Sequence, residues 1–286
     1  MLAVGEAQAR AGDPAAEPVF LAAERLAREL GDAELVARAV LGRCGVGVTI
    51  VGLDTARAHA LEEALELLGD GPPALRSRVL ARLAIELYYA PGRARADPLS
   101  AEAVELARCA EDPDALLVAL SSRHVALWTP DGLDDRLAVA DEMIVLAGEH
   151  GRPEHELQGR NWLCADLWEA GQIDRFETEA RVHARLATRL RLPNFMWYKP
   201  LWQASLAALR ADWDRAERLI IQADQTGTDA GDRNAPLFAW GLRLAMRLAR
   251  HQFADEDLKN AERHIRDSPA SSAWRCMRCW FAAHAG

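Results

Sequence analysis

Lysine is almost missing from this chain: two lysines stand against 32 arginines. We attribute that bias to a GC-rich coding sequence rather than to phosphate binding. Basic charge as a whole is in deficit, with 34 Lys and Arg against 43 Asp and Glu and a formal net charge of −9. A nucleic-acid interface needs clustered basic charge, so no direct nucleic-acid contact is expected. Long apolar runs are also missing. The longest, Cys44 to Leu53, includes Gly45, Gly47 and Gly52 and is about half the roughly twenty residues that a membrane span requires. The opening MLAVGEAQARAGD has neither a basic leader nor an apolar core, so it does not read as a signal peptide. Cysteines are few and odd in number: Cys44, Cys109, Cys164, Cys276 and Cys279. That pattern suits a reducing compartment rather than a disulfide scaffold. A soluble, cytoplasmic protein is the expectation.

Catalytic signatures are missing too. There is no phosphate-binding GxxxxGK[ST] loop, and Gly45-Val46-Gly47 lacks the third glycine and the lysine. No serine or cysteine sits in a nucleophile elbow. No catalytic residue, cofactor or metal site is therefore expected.

What the chain does have is a period. Proline stands at Pro73, Pro113, Pro153 and Pro193, forty residues apart each time, and glycine at Gly12, Gly52, Gly92 and Gly132. The glycine series continues as Gln172, Asp212 and Gln252. One residue further on run Leu53, Leu133, Ile173, Trp213 and Phe253, followed by Asp54, Asp134, Asp174 and Asp214. Breaker residues locked to one period mark a tandem repeat. Proline suits the first turn of a helix, and the segment after Pro113 carries apolar residues at helical spacing. Gly132 is expected to end that helix with a positive φ. A second helix follows from Leu133, with its acids at the positive end of the helix dipole. Pro200 predicts a kink or a late helix start.

The pattern predicts an all-α protein, a right-handed α-solenoid of about seven helix-turn-helix repeats over residues 1–286. Such units cannot bury their apolar stripes alone and must stack. We call the proline-started helix of each unit A and its partner B. Helix A, with more aromatics, is placed on the concave face. Both ends fall inside a helix A, which suggests a piece of a longer protein or ends covered by self-association.

Several clusters invite chemistry. Cys276 and Cys279 have CxxC spacing without a second pair or a thioredoxin-like setting, and read as two small buried residues. Glu149, His150, Glu154 and His155 read as a solvated inter-repeat turn. Trp128 and Trp168, forty apart, read as equivalent packing positions. Trp162, Trp197, Tyr198 and Trp202 stand apart from that pair, near Arg123, His124, Asp166, Lys199 and Gln203. Aromatics mixed with a few charges on neighbouring A helices suit a groove for a peptide, a protein partner or a small-molecule inducer; ordinary inter-helix packing is the other reading.

The segments at 30–42 (LGDAELVARAVLG), 80–90, 121–138 (SSRHVALWTPDGLDDRLA) and 271–283 resemble the helical-repeat region of large bacterial ATP-dependent regulators, of the LuxR type and their cyclase-linked relatives. Arg123, His124, Trp128, Pro130 and Asp131 carry the most distinctive part. The period exceeds the 34 residues of tetratricopeptide (TPR) repeats but keeps their helix-turn-helix logic. The resemblance implies a sensor or regulatory region that holds an ATPase in check, with the ATPase and output modules outside this chain. A stand-alone adaptor is the alternative, and a ligand-binding or enzymatic solenoid a third.

Overall fold

A computed structural model describes residues 1–11, 13–44, 55–88, 93–252, 255–267, 275–276 and 278–279. Among them every regular element is a helix and no strand occurs. In chain order the helices are α1 (Leu2–Arg10), α2 (Ala16–Leu30), α3 (Ala33–Arg43), α4 (Thr55–Leu68) and α5 (Pro73–Leu87). After a 3-10 turn (Arg93–Arg95) come α6 (Ala96–Cys109), α7 (Pro113–Ala126), α8 (Leu133–Glu149), α9 (Pro153–Glu169) and α10 (Ile173–Leu190). Then follow α11 (Pro193–Met196), α12 (Tyr198–Leu209), α13 (Trp213–Asp229), α14 (Ala235–Ala249) and α15 (Asp255–Asp267). None is long and apolar enough to cross a membrane.

The prolines do what their chemistry predicts. Pro73, Pro113, Pro153 and Pro193 each open a helix. There the missing N–H removes no intrahelical bond. Pro200 lies in the first turn of α12, which restarts at Tyr198 after α11 has stopped at Met196. The acids also keep their register: Asp134, Asp174 and Asp214 stand in the first turns of α8, α10 and α13. Gly12, Gly52, Gly92, Leu53, Asp54 and Phe253 lie outside the described residues.

The turns repeat as closely as the helices. Left-handed residues occur at Gly31, Glu111, Gly151, Arg191 and Gly231, and again at Gly171, Ala211 and His251. The amide that follows reaches back five residues: Asp32 to Ala27, Asp112 to Ala107, Arg152 to Ala147 and Asp232 to Gly227, at 2.8–3.4 Å. Gln172, Asp212 and Gln252 do the same from the second series. This is the Schellman arrangement, which satisfies carbonyls that a helix end leaves without partners. Asp32 and Asp112 then cap the following helix through Leu35 N and Ala115 N. The turn after α4 departs from the register, with its left-handed residue at Gly69.

Gly132 corrects one expectation. Its φ is −93°, so no left-handed geometry demands glycine there. A Cβ at this position would collide with the Leu127 carbonyl; close approach is the reason for glycine.

Contacts divide the described chain into two compact units, the first ending at His183 and the second beginning at Ala184, within α10. In the first, each helix packs on its successor from α1 to α9, and the alternate helices α1, α3, α5, α7 and α9 also touch in succession. Small residues close the crossings of the B helices: Ala27, Ala107 and Ala147 share one register position and are buried. In the second unit α12, α13 and α14 pack consecutively around Ala204, Ala216, Ile220, Ala239 and Met246, with Trp197, Leu201, Ala223 and Ala235 beside them.

Candidate functional site

In the first unit, α7, α8 and α9 bring four ionisable side chains and two indoles together. His124 comes from α7, Arg136 from α8, and Trp162, Asp166 and Glu169 from α9. Trp128 follows the end of α7. His124, Arg136 and Asp166 are all fully enclosed, which charged groups tolerate only when paired. The His124 imidazole meets Asp166 Oδ2 through Nε2 at 2.7 Å. It stacks on Trp162 at 4.6 Å and meets Trp128 edge-on at 5.5 Å. Burial lowers the His124 pKa below the ordinary histidine value, against the opposing pull of Asp166. A neutral ring that donates from Nε2 to the carboxylate meets both facts. Its Nδ1 is then an acceptor without a partner among the described residues.

Arg136 is the cation of the cluster. Nη1 lies 3.2 Å from Asp166 Oδ1 and Nη2 lies 2.8 Å from Glu169 Oε2. Both contacts are at ion-pair distance but off the angle of a hydrogen bond, so the attraction is mainly coulombic. The guanidinium also sits 4.7 Å over the Trp128 ring, a cation–π arrangement. With His124 neutral, one cation faces two carboxylates. Glu169 is 41 % exposed, so the surplus charge lies at the solvent end. The Trp128 carbonyl is held from outside by Tyr88 Oη and by Arg93 Nη2, each at 2.9 Å.

This geometry orients the imidazole towards Asp166. Ser122 donates to the Ala81 carbonyl and Ser121 accepts from Trp162 Nε1; neither hydroxyl engages His124. Cys164 is buried, and burial pushes its thiol up to about 12. No group of three or more metal-ligating side chains occurs among the described residues. Through these contacts the cluster ties three helices together as a polar pin.

The sequence-predicted site residues divide between the two units. In the first, His124, Trp162 and Asp166 are brought together, but enclosed rather than spread along an open wall. Arg123 is half-buried and turned to α6, bonding Asp97 Oδ1 at 2.5 Å and Ser100 Oγ at 3.1 Å. In the second, Trp197 is fully buried and donates through Nε1 to Asp232 Oδ2 at 3.1 Å. Burial raises the pKa of that carboxyl. Tyr198 stacks between Trp197 at 3.8 Å and Trp202 at 5.9 Å. Lys199 and Gln203 are exposed, whereas Trp202 is buried. Trp162 and Trp202 are themselves forty residues apart and both buried, so they belong to the repeat rather than standing outside it. Trp128 and Trp168 are equivalent by number, but α7 has ended before Trp128 while α9 runs through Trp168. Two open concavities lie elsewhere: about 350 Å³ on α8 beside Val145, and about 520 Å³ at the turns around Gly31 and Gly71.

Arg136 and Glu169 escaped the sequence reading, yet the register held the signal. Arg136 occupies the position of Ala16, Ala96, Phe176 and Ala216, all buried. His124 occupies that of Ala84, Cys164, Ala204 and Leu244, and Asp166 that of Ala126 and Met246, also buried. Glu86, also buried and paired with Arg82, shares the Asp166 position; His124 and Arg136 thus stand where most other units bury apolar residues, and they meet Asp166 there. Cys276 and Cys279, read from the sequence as buried, are exposed.

No protein-family model matches the chain, and no curated protein matches it.

Proposed function

We propose that this chain is a non-catalytic, TPR-like α-solenoid of about seven repeats that serves as the sensor or regulatory interaction region of a bacterial ATP-dependent regulator. The observation that carries the repeat reading is the turn. The same left-handed residue and the same five-residue return bond recur on a forty-residue period, as stacked identical units require. Succession of the A helices in the first unit favours an A-lined inner face. The interaction role is favoured by what the buried groups do: His124, Asp166 and Arg136 are committed to one another, as a rigid scaffold needs. The regulator context rests on the resemblance of the segments around Arg123 to Asp131.

An immunoblot of source cells with an antibody to this region tests the context. A band several-fold larger than a 286-residue chain, co-purifying with ATPase activity, is the expected result. A band of this chain's own size would replace the reading with that of a stand-alone adaptor.

A further inference from the structure

Repeat register fixes which side chains pack and leaves the exposed stripe of a B helix free to vary. On α8 that stripe is Asp141, Val145 and Glu149; forty residues on, α10 carries Arg181, Arg185 and Arg189. All six are exposed. The equivalent positions on α13 hold Ile221, Gln225 and Asp229, so packing demands neither sign. The basic stripe opens a segment with no acidic residue at all between Glu179 and Asp212. A helix C-terminus attracts cations within its last turn, which accounts for Arg189 but not for Arg181 or Arg185. Neither stripe is satisfied within the chain. The side chains of Asp141, Glu149, Arg185 and Arg189 have no hydrogen-bond or ion-pair partner among the described residues. Arg181 donates only to its own helix, to the Glu177 carbonyl at 3.0 Å and Thr178 Oγ1 at 3.3 Å. The acidic stripe lines the open concavity of about 350 Å³, where Val145 is 60 % exposed.

We propose that these two faces dock on each other between copies of this chain, α8 of one copy lying antiparallel on α10 of another. Residues eight apart on a helix stand about 12 Å apart along its axis, so the outer charges of both stripes have the same spacing. Asp141 then meets Arg189, Glu149 meets Arg181, and the aliphatic stem of Arg185 covers Val145. A second copy fits better than a foreign partner because each chain carries both faces, matched in sign and in step. Exposed ion pairs are individually weak and screened by salt, and a patch on one helix is smaller than a permanent interface. The association is therefore concentration-dependent and salt-sensitive.

Sedimentation velocity of the full chain over a concentration series tests this. At physiological ionic strength, which screens the overall charge of −9 between separated molecules, the expected mass rises above that of the monomer with concentration; high salt should return it to monomer. Arg185→Glu with Arg189→Glu should abolish the rise, as should Asp141→Arg with Glu149→Arg, each with helical circular dichroism unchanged. Mixing the two reversed proteins should restore association, because each then offers the charge the other lacks. A monomer at every concentration would overturn the proposal. So would association that survives high salt or both reversals, as apolar contact through the chain ends would, or a mixture of the reversed proteins that stays monomeric.

Discussion

At the scale of the residue, the question is what three buried polar groups contribute at register positions that other repeats fill mainly with apolar side chains. A buried ion pair seldom gains much over a well-packed apolar pair, but removing one partner is costly because the other is left charged and dry. Arg136→Met should therefore destabilise by about 3–5 kcal/mol, read by urea unfolding. Adding Asp166→Asn should restore much of that loss; equal or greater loss in the double variant would mean the two side chains are not coupled. His183 offers a second test. It is buried in α10, where burial and, secondarily, Arg160 hold its pKa down to about 4 against 6.5 for the free side chain. The unfolded chain therefore binds the proton first as pH falls. Stability should be complete above about pH 6.5 and lost progressively towards pH 4, by about 3 kcal/mol from this group. His124 and His155, also lowered chiefly by burial, add in the same direction. His183→Gln should flatten the slope of unfolding free energy between pH 6.5 and 4; an unchanged slope would remove His183 from the account. His124 and Asp166 stood out in the sequence because histidine and aspartate amid tryptophans are conspicuous. Arg136 did not, because an arginine beside two aspartates at a helix start looks solvated.

At the scale of the element, the turns set where one helix stops and the next begins. Glycine takes a left-handed φ without strain, while other residues adopt it at a cost of about 1–2 kcal/mol. Gly31, Gly151, Gly171 and Gly231 use that freedom; Glu111, Arg191, Ala211 and His251 do not have it. Ala211→Gly should accordingly stabilise by about 1 kcal/mol after the entropy cost of glycine is deducted, seen as a higher midpoint of thermal unfolding. A lower midpoint would contradict the turn geometry. Gly227 serves the opposite purpose. An added Cβ would overlap Ala235 and press on Trp197, so Gly227→Ala should cost about 1–3 kcal/mol despite the helix propensity of alanine. Helix starts were legible because proline and acidic first turns announce them. The left-handed turns were less so, since four of them carry Glu, Arg, Ala or His, and at Glu111, Ala211 and His251 the return bond holds the conformation whatever the side chain.

At the scale of the whole molecule, the forty-residue period predicted an all-helical chain, and the described residues are helical throughout their regular elements. The candidate site was legible only in part. The aromatic and polar residues singled out as groove walls are largely packed inside their own units, because tryptophans at equivalent register positions face the neighbouring helix. Composition could not reveal that, whereas aligning the chain against itself every forty residues does. That alignment is also the basis of the proposed solenoid, whose dimension should grow with each added unit rather than with chain length in a ball. Small-angle X-ray scattering of the monomeric chain tests it most directly. A compact globule of 286 residues has a radius of gyration of about 19 Å. The account predicts a value clearly above that, with a pair-distance distribution skewed to long distances; a value near 19 Å with a symmetric distribution would contradict it.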